Sequence, residues 1–169
     1  HLGVAQPAQH RGHGFLRLTV QRADRSEVQP VQAVKIGHTQ QAQQLAAWLE
    51  PHAPKHGGVH FIAGVAALQL QRLPFAIEHL RKATLCSPDR EDYFAQYARA
   101  LAMGGLQREA LAMADAAVGL ANDTDAVPWD TLGVVYSLGN LHRQAADAFR
   151  RAVERAPGSA NLRFNLATS

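Results

Sequence analysis

The chain repeats itself with a period of 34 to 35 residues, and that period restricts it to a stack of like units. Trp129, Leu132, Gly133 and Tyr136 are followed by Gly139-Asn140, then by Ala145, Phe149, Ala152 and Pro157. The same order occurs 35 residues earlier, with Phe94, Tyr97, Ala98 and Leu101 before Gly104-Gly105 and Ala110, Ala114 and Ala117 after it. It occurs again 34 residues before that, where His60, Ala63, Gly64 and Ala67 lead to Ala76, Leu80 and Ala83, and the unit closes on Pro88. Within each unit the apolar residues fall three or four apart on either side of a turn signal, which predicts two short amphipathic helices folded into an antiparallel hairpin. Gly133 and Ala145 are small where the two helices must approach, Trp129 and Tyr136 supply bulk, and Pro88 and Pro157 end the second helix. The middle unit has Ala114 in place of a large side chain and Asn122 in place of the proline, so its second helix is expected to pack more thinly.

These boundaries predict units over residues 57–90, 91–125 and 126–159, with residues 160–169 opening a further unit that is cut short. Upstream, Gly37, Ala42, Ala46, Leu49 and Pro54 match only a second helix, giving a half unit over 36–56. Its first helix would fall near 23–35, where Pro30 and the lack of helical periodicity argue against one. Residues 1–35 read as an irregular or disordered leader rich in Gln and His, with a brief strand-like alternation from Phe15 to Val20.

The order from Trp129 to Pro157 resembles the full signature of the tetratricopeptide repeat (TPR) family. The resemblance implies an all-α fold: a right-handed superhelical stack of helix hairpins whose concave groove is lined by the first helix of each unit. It implies groove positions at Phe61, Val65 and Leu68; at Asp92, Gln96, Arg99 and Met103; at Asp130, Val134 and Ser137; and at Asn161, Asn165 and Thr168. A groove mixing apolar and polar groups suits a peptide or helix of a partner protein, with Arg99 either available for a charge-assisted bond or paired to Asp130 or Asp92. Some TPR proteins clamp acidic carboxyl-terminal tails with lysines and asparagines. Here Val65, Arg99 and Val134 stand at the matching places, so that activity does not carry over.

Two phrases, Asp130 to Tyr136 and Asn161 to Ser169, are similar to the amino-terminal repeats of bacterial TPR-containing sulfotransferases. That likeness implies an alternative role, as the accessory array of an enzyme whose catalytic domain and phosphoadenosine sulfate donor lie beyond this chain. Within the chain itself no catalytic residue and no cofactor are expected. Gly57-Gly58 and Gly104-Gly105 lack the order of a phosphate loop and coincide with repeat turns. His52, His56 and His60 recur every four residues, but Pro54 and Gly57-Gly58 interrupt any helix that would align them, and no metal site is expected there.

Charge and composition narrow the partners. The net charge is +3, yet six basic and three acidic residues lie in residues 1–56, which leaves the repeats with eleven of each and no basis for nucleic-acid binding. No apolar run reaches the roughly 20 residues that span a bilayer. The single cysteine, Cys86, excludes an internal disulfide framework and is expected to be a half-buried structural thiol in a reducing, cytoplasmic setting. The truncated last helix is expected to expose Leu162 and Leu166 and to promote self-association.

Overall fold

The computed structural model describes residues 39–169, so the leader and its Phe15–Val20 alternation lie outside the described residues. Among the described residues there are eight helices and no strand: α1 Thr39–Leu49, α2 Gly57–Gln69, α3 Leu73–Cys86, α4 Glu91–Met103, α5 Gln107–Leu120, α6 Val127–Leu138, α7 His142–Arg155 and α8 Ala160–Thr168. Helices α2 and α3, α4 and α5, and α6 and α7 form the tightest pairs, and each second helix also packs on the first helix of the next pair. The fold is the all-α stack of hairpins that the period predicts.

Burial follows each helix's position in the stack. Helix α7 buries only Ala145, Ala148, Phe149 and Ala152, a spacing that makes one narrow stripe on an otherwise mostly polar helix. Helix α2 instead buries nine of its 13 residues, because α1, α3 and α4 all cover it. The largest side chains of the α6–α7 core are Phe149, Leu132 and Val135; Trp129 is only partly buried, with the guanidinium groups of Arg151 and Arg155 4.7 and 4.9 Å from its ring centre. Its hydrophobic ring is thus covered by a cationic lid as well as by the core.

A hole in the first helix opposes a knob from the second in each hairpin. A Cβ added to Gly133 would lie 2.5 Å from ring carbons of Phe149, and one added to Gly64 would lie 2.6 Å from Leu80 Cγ. In the middle hairpin the corresponding residues are Ala98 and Ala114, both fully buried. Helices α4 and α5 lie as close as α2 and α3, while α5 buries only Ala110, Ala114 and Ala117, smaller side chains than the other second helices bury. A small knob leaves room for a methyl group in the hole, so the two alanines restore the fit that glycine and a large residue make elsewhere.

The hairpin turns share one backbone solution. Gln71, Gly105 and Asn140, at equivalent places, adopt left-handed φ values of 57°, 77° and 59°. In each turn the following amide reaches back five residues: Arg72 to Ala67 O at 2.8 Å, Leu106 to Leu101 O at 2.9 Å and Leu141 to Tyr136 O at 2.9 Å. These bonds satisfy carbonyls that the helix end would leave orphaned. The Val135 carbonyl, which already accepts the Gly139 amide at 3.2 Å, takes a second bond from the neighbouring unit, where Gln107 Nε2 of α5 donates to it at 2.8 Å.

Between units, Pro88 follows the end of α3 and Pro157 the end of α7. Ser159 then caps α8, its hydroxyl accepting from the Leu162 amide.

Two stability measurements follow. Gly133→Ala should cost about 1 to 3 kcal/mol by overpacking, and Phe149→Ala about 3 to 5 kcal/mol. In the double variant the Gly133 change should cost little, so urea unfolding of the four proteins should give a clearly non-additive cycle. Gln71→Gly should raise stability by about 0.5 to 1 kcal/mol, because it relieves a left-handed conformation that costs a residue with a side chain roughly 1 to 2 kcal/mol.

Candidate functional site

Equivalent positions on the first helices form rows that cross the units. One row runs Phe61, Ala95, Asp130, Asn165; a second runs Val65, Arg99, Val134. Their chemistry changes along the stack, from apolar on α2 to charged on α4 and α6 and to an amide on α8.

At the α2 end the rows are sealed. Phe61 is fully buried and stacks on Tyr93 of α4, with ring centres 4.5 Å apart, and Val65 is 8% exposed. The expectation that these two line a groove is therefore corrected. Phe61 stands where the next unit has Ala95, and its ring is long enough to cross to α4 and join the core.

Farther along, Ala95 is again fully buried, but Arg99, Asp130, Val134 and Asn165 are part-exposed, and all but Val134 are polar. Arg99 Nη2 of α4 lies 3.7 Å from Asp130 Oδ2 of α6, and Asn165 Nδ2 of α8 donates to Asp130 Oδ1 at 2.8 Å. Asp130 thus holds partners from the helices before and after it. Its own side chain is 16% exposed while that of Arg99 is 37% exposed, so the carboxylate is largely shielded and the guanidinium keeps free donors.

Asp92 is engaged by the residue that precedes its helix: Arg90 grips it through Nε at 3.0 Å and Nη2 at 2.9 Å, which holds the guanidinium firmly charged. Gln96 is half-buried, whereas Met103 is half exposed, as is Leu138 at the equivalent end of α6. Val134 and Asn165 line a shallow cavity of about 170 Å³ with Ser137, Leu138, Phe149 and Thr168. Leu162 is buried under α7, so it is not the exposed residue the sequence implies; Leu166 is half-buried, and Phe164 is the apolar side chain that α8 exposes, at 67%.

A second group of chemically capable side chains lies at the other end of the stack. Pro54 and the glycines do interrupt the His52–His56–His60 series: His52 and His56 are exposed outside the helices, while His60 is buried in α2. His60 Nε2 lies 2.9 Å from Pro54 O, and since a carbonyl can only accept, that nitrogen carries the proton. The bare Nδ1 faces His79 Nδ1 of α3 at 3.4 Å and Glu50 Oε1, just after α1, at 3.9 Å. Among the described residues these three are the group compact enough to hold a metal ion.

Burial pushes the His79 imidazole below its ordinary value, opposed by Glu50 and aided by Lys82 and His60. Lys82 sits 3.0 Å from Glu78 Oε1 and 3.4 Å from Glu50 Oε1, which raises its own ammonium. The sequence carries one signal of this cluster: His60 stands where the repeat has Phe94 and Trp129, an imidazole in an aromatic's place. Nothing in the spacing of Glu50 and His79 announces them.

No family model matches the chain, and no curated protein matches it. Solved structures do. A thermophilic TPR protein of Thermus thermophilus superposes with a TM-score of 0.71 at 21% identity, covering 92% of this chain and 89% of that one. MamA of Desulfovibrio magneticus RS-1 gives 0.68 at 18% identity over 95% and 85%. YrrB, a TPR protein with an unusual peptide-binding site, gives 0.68 at 18% identity over 81% and 70%. The chain therefore has the fold of TPR proteins.

Proposed function

We propose that the chain is a non-catalytic interaction scaffold that holds a peptide or helix of a partner protein against the face formed by α4, α6 and α8. The Arg99–Asp130–Asn165 contact line carries this reading, because it joins the two rows across three successive first helices and keeps free donors at Arg99. Met103 and Leu138 flank the row with exposed apolar surface, so a segment laid across it meets hydrogen-bonding and hydrophobic contacts together. Gln96, Arg99, Met103, Asp130, Val134 and Asn165 are the contact candidates. The peptide-binding site recorded for YrrB is in keeping with this use of the fold.

On this reading the functional units are residues 57–90, 91–125 and 126–159, preceded by the half unit at 36–56 and followed by the helix at 160–169. A cytoplasmic setting agrees with the free thiol of Cys86, and no helix among the described residues is long and apolar enough to cross a membrane. The alternative role, as the accessory array of a sulfotransferase, rests on the sequence phrases at 130–136 and 161–169 alone.

Affinity capture from the source cell tests the groove. A specific partner should be retained by the unaltered protein and lost from an Arg99→Ala, Asp130→Ala variant of unchanged helix content; equal capture by both would place the binding surface elsewhere. Self-association is a separate part of the reading and uses Phe164. Sedimentation at increasing concentration should show dimers that Phe164→Ser abolishes, and a monomer at all concentrations would remove that part.

A further inference from the structure

A buried imidazole in the place of an aromatic needs polar partners, and His60 has a specific set. Its proton is committed to the Pro54 carbonyl, which aims the lone pair of Nδ1 at His79 and Glu50. We propose that Glu50, His60 and His79 form a binding site for a first-row divalent transition-metal ion of the Zn²⁺ class, tying the end of α1 to the α2–α3 hairpin.

The geometry suits such an ion. Donor atoms at about 2.0 to 2.1 Å around a tetrahedral Zn²⁺ stand roughly 3.3 to 3.4 Å from one another. The two imidazole nitrogens are 3.4 Å apart, and the Glu50 oxygen, 3.9 Å from His60 and farther from His79, must turn inward by about 1 Å to complete the set. All the candidate ligand atoms lie within 4.8 Å of one another. Two imidazoles and one carboxylate select zinc and its first-row neighbours over calcium or magnesium, which prefer oxygen alone.

The surroundings supply what three ligands lack. The Nε2–H bond to Pro54 is the outer contact that fixes the tautomer of a ligating histidine. Burial of His79 already favours the neutral imidazole that a metal requires. A cavity of about 330 Å³ lined by Glu50 and His60 with Pro54, Lys82, Leu85 and Cys86 adjoins two of the three ligands, so solvent there can complete the shell. Lys82 is the local cation that would oppose a metal. It holds Glu78 more closely than Glu50, at 3.0 against 3.4 Å, and can keep that partner when Glu50 turns to the ion. The competing arrangement is a single proton shared between the two Nδ1 atoms, with Lys82 on Glu50.

Titration of Zn²⁺ into the full chain, freed of metal with a chelator and of any affinity tag, distinguishes the two. His60 is too buried to replace cleanly, so the informative variants are His79→Ala and Glu50→Gln, with a His52→Ala, His56→Ala double variant as the control for exposed imidazoles. The site predicts one ion per chain, affinity at least tenfold lower in both informative variants, and an unchanged affinity in the control. Substituting Co²⁺ should give the visible absorption of a tetrahedral centre, lost in His79→Ala. Absence of binding, binding undiminished in either informative variant, or binding that depends on His52 and His56 would overturn the proposal. Circular dichroism of each variant separates loss of ligand from loss of fold.

Discussion

Close approach of two helices at one point per hairpin is the constraint from which the rest of this structure follows. At Gly133 the ring of Phe149 occupies the space that any side chain would need, and Leu80 does the same over Gly64. Such contacts fix the distance between the helices and their axial register, and so fix which residues lie on the shared face. The middle hairpin shows that the requirement is a filled volume and not a particular pair of residues, since Ala98 and Ala114 meet it with both partners changed. Once each hairpin is set in this way, stacking buries what a single hairpin leaves exposed.

The first helices carry a gradient along the stack. Where they are most covered, at α2, the row positions hold Phe61 and Val65 and contribute to the core. Where cover thins, Arg99 in one row and Asp130 and Asn165 in the other form a polar contact line across α4, α6 and α8, while Ala95 stays in the core. The rows are thus apolar and sealed at one end of the stack and, in part, polar and accessible farther along. The two chemistries do not compete, because they are separated by a full unit of the array.

Legibility in the sequence divides along physical lines. Hairpins and turns could be read because helical periodicity, glycine at the turn and proline beyond the helix are local signals, each contained within a few residues. The pairing of Arg99 with Asp130 was an open alternative in the sequence, since it depends only on knowing that successive first helices are neighbours. Burial was harder to read. Phe61 is sealed by its stacking on Tyr93 of the next first helix and Leu162 by the proximity of α7, contacts between units that no local signal announces. The Glu50–His60–His79 group was out of reach, because it joins an inter-helix turn, a first helix and a second helix at separations no period relates. Only the imidazole at position 60 interrupts a pattern, and an interruption by itself does not say what meets it.

The bond from Gln107 to the carbonyl of Val135 has a bearing on how such a chain is made. The donor belongs to the earlier unit and the acceptor to the later one. A ribosome delivers Gln107 before Val135, so the group that will cap α6 is already fixed on a folded surface when α6 emerges. Growth from the amino terminus therefore extends a template, with each finished hairpin offering its successor both an apolar bed and a hydrogen-bond donor.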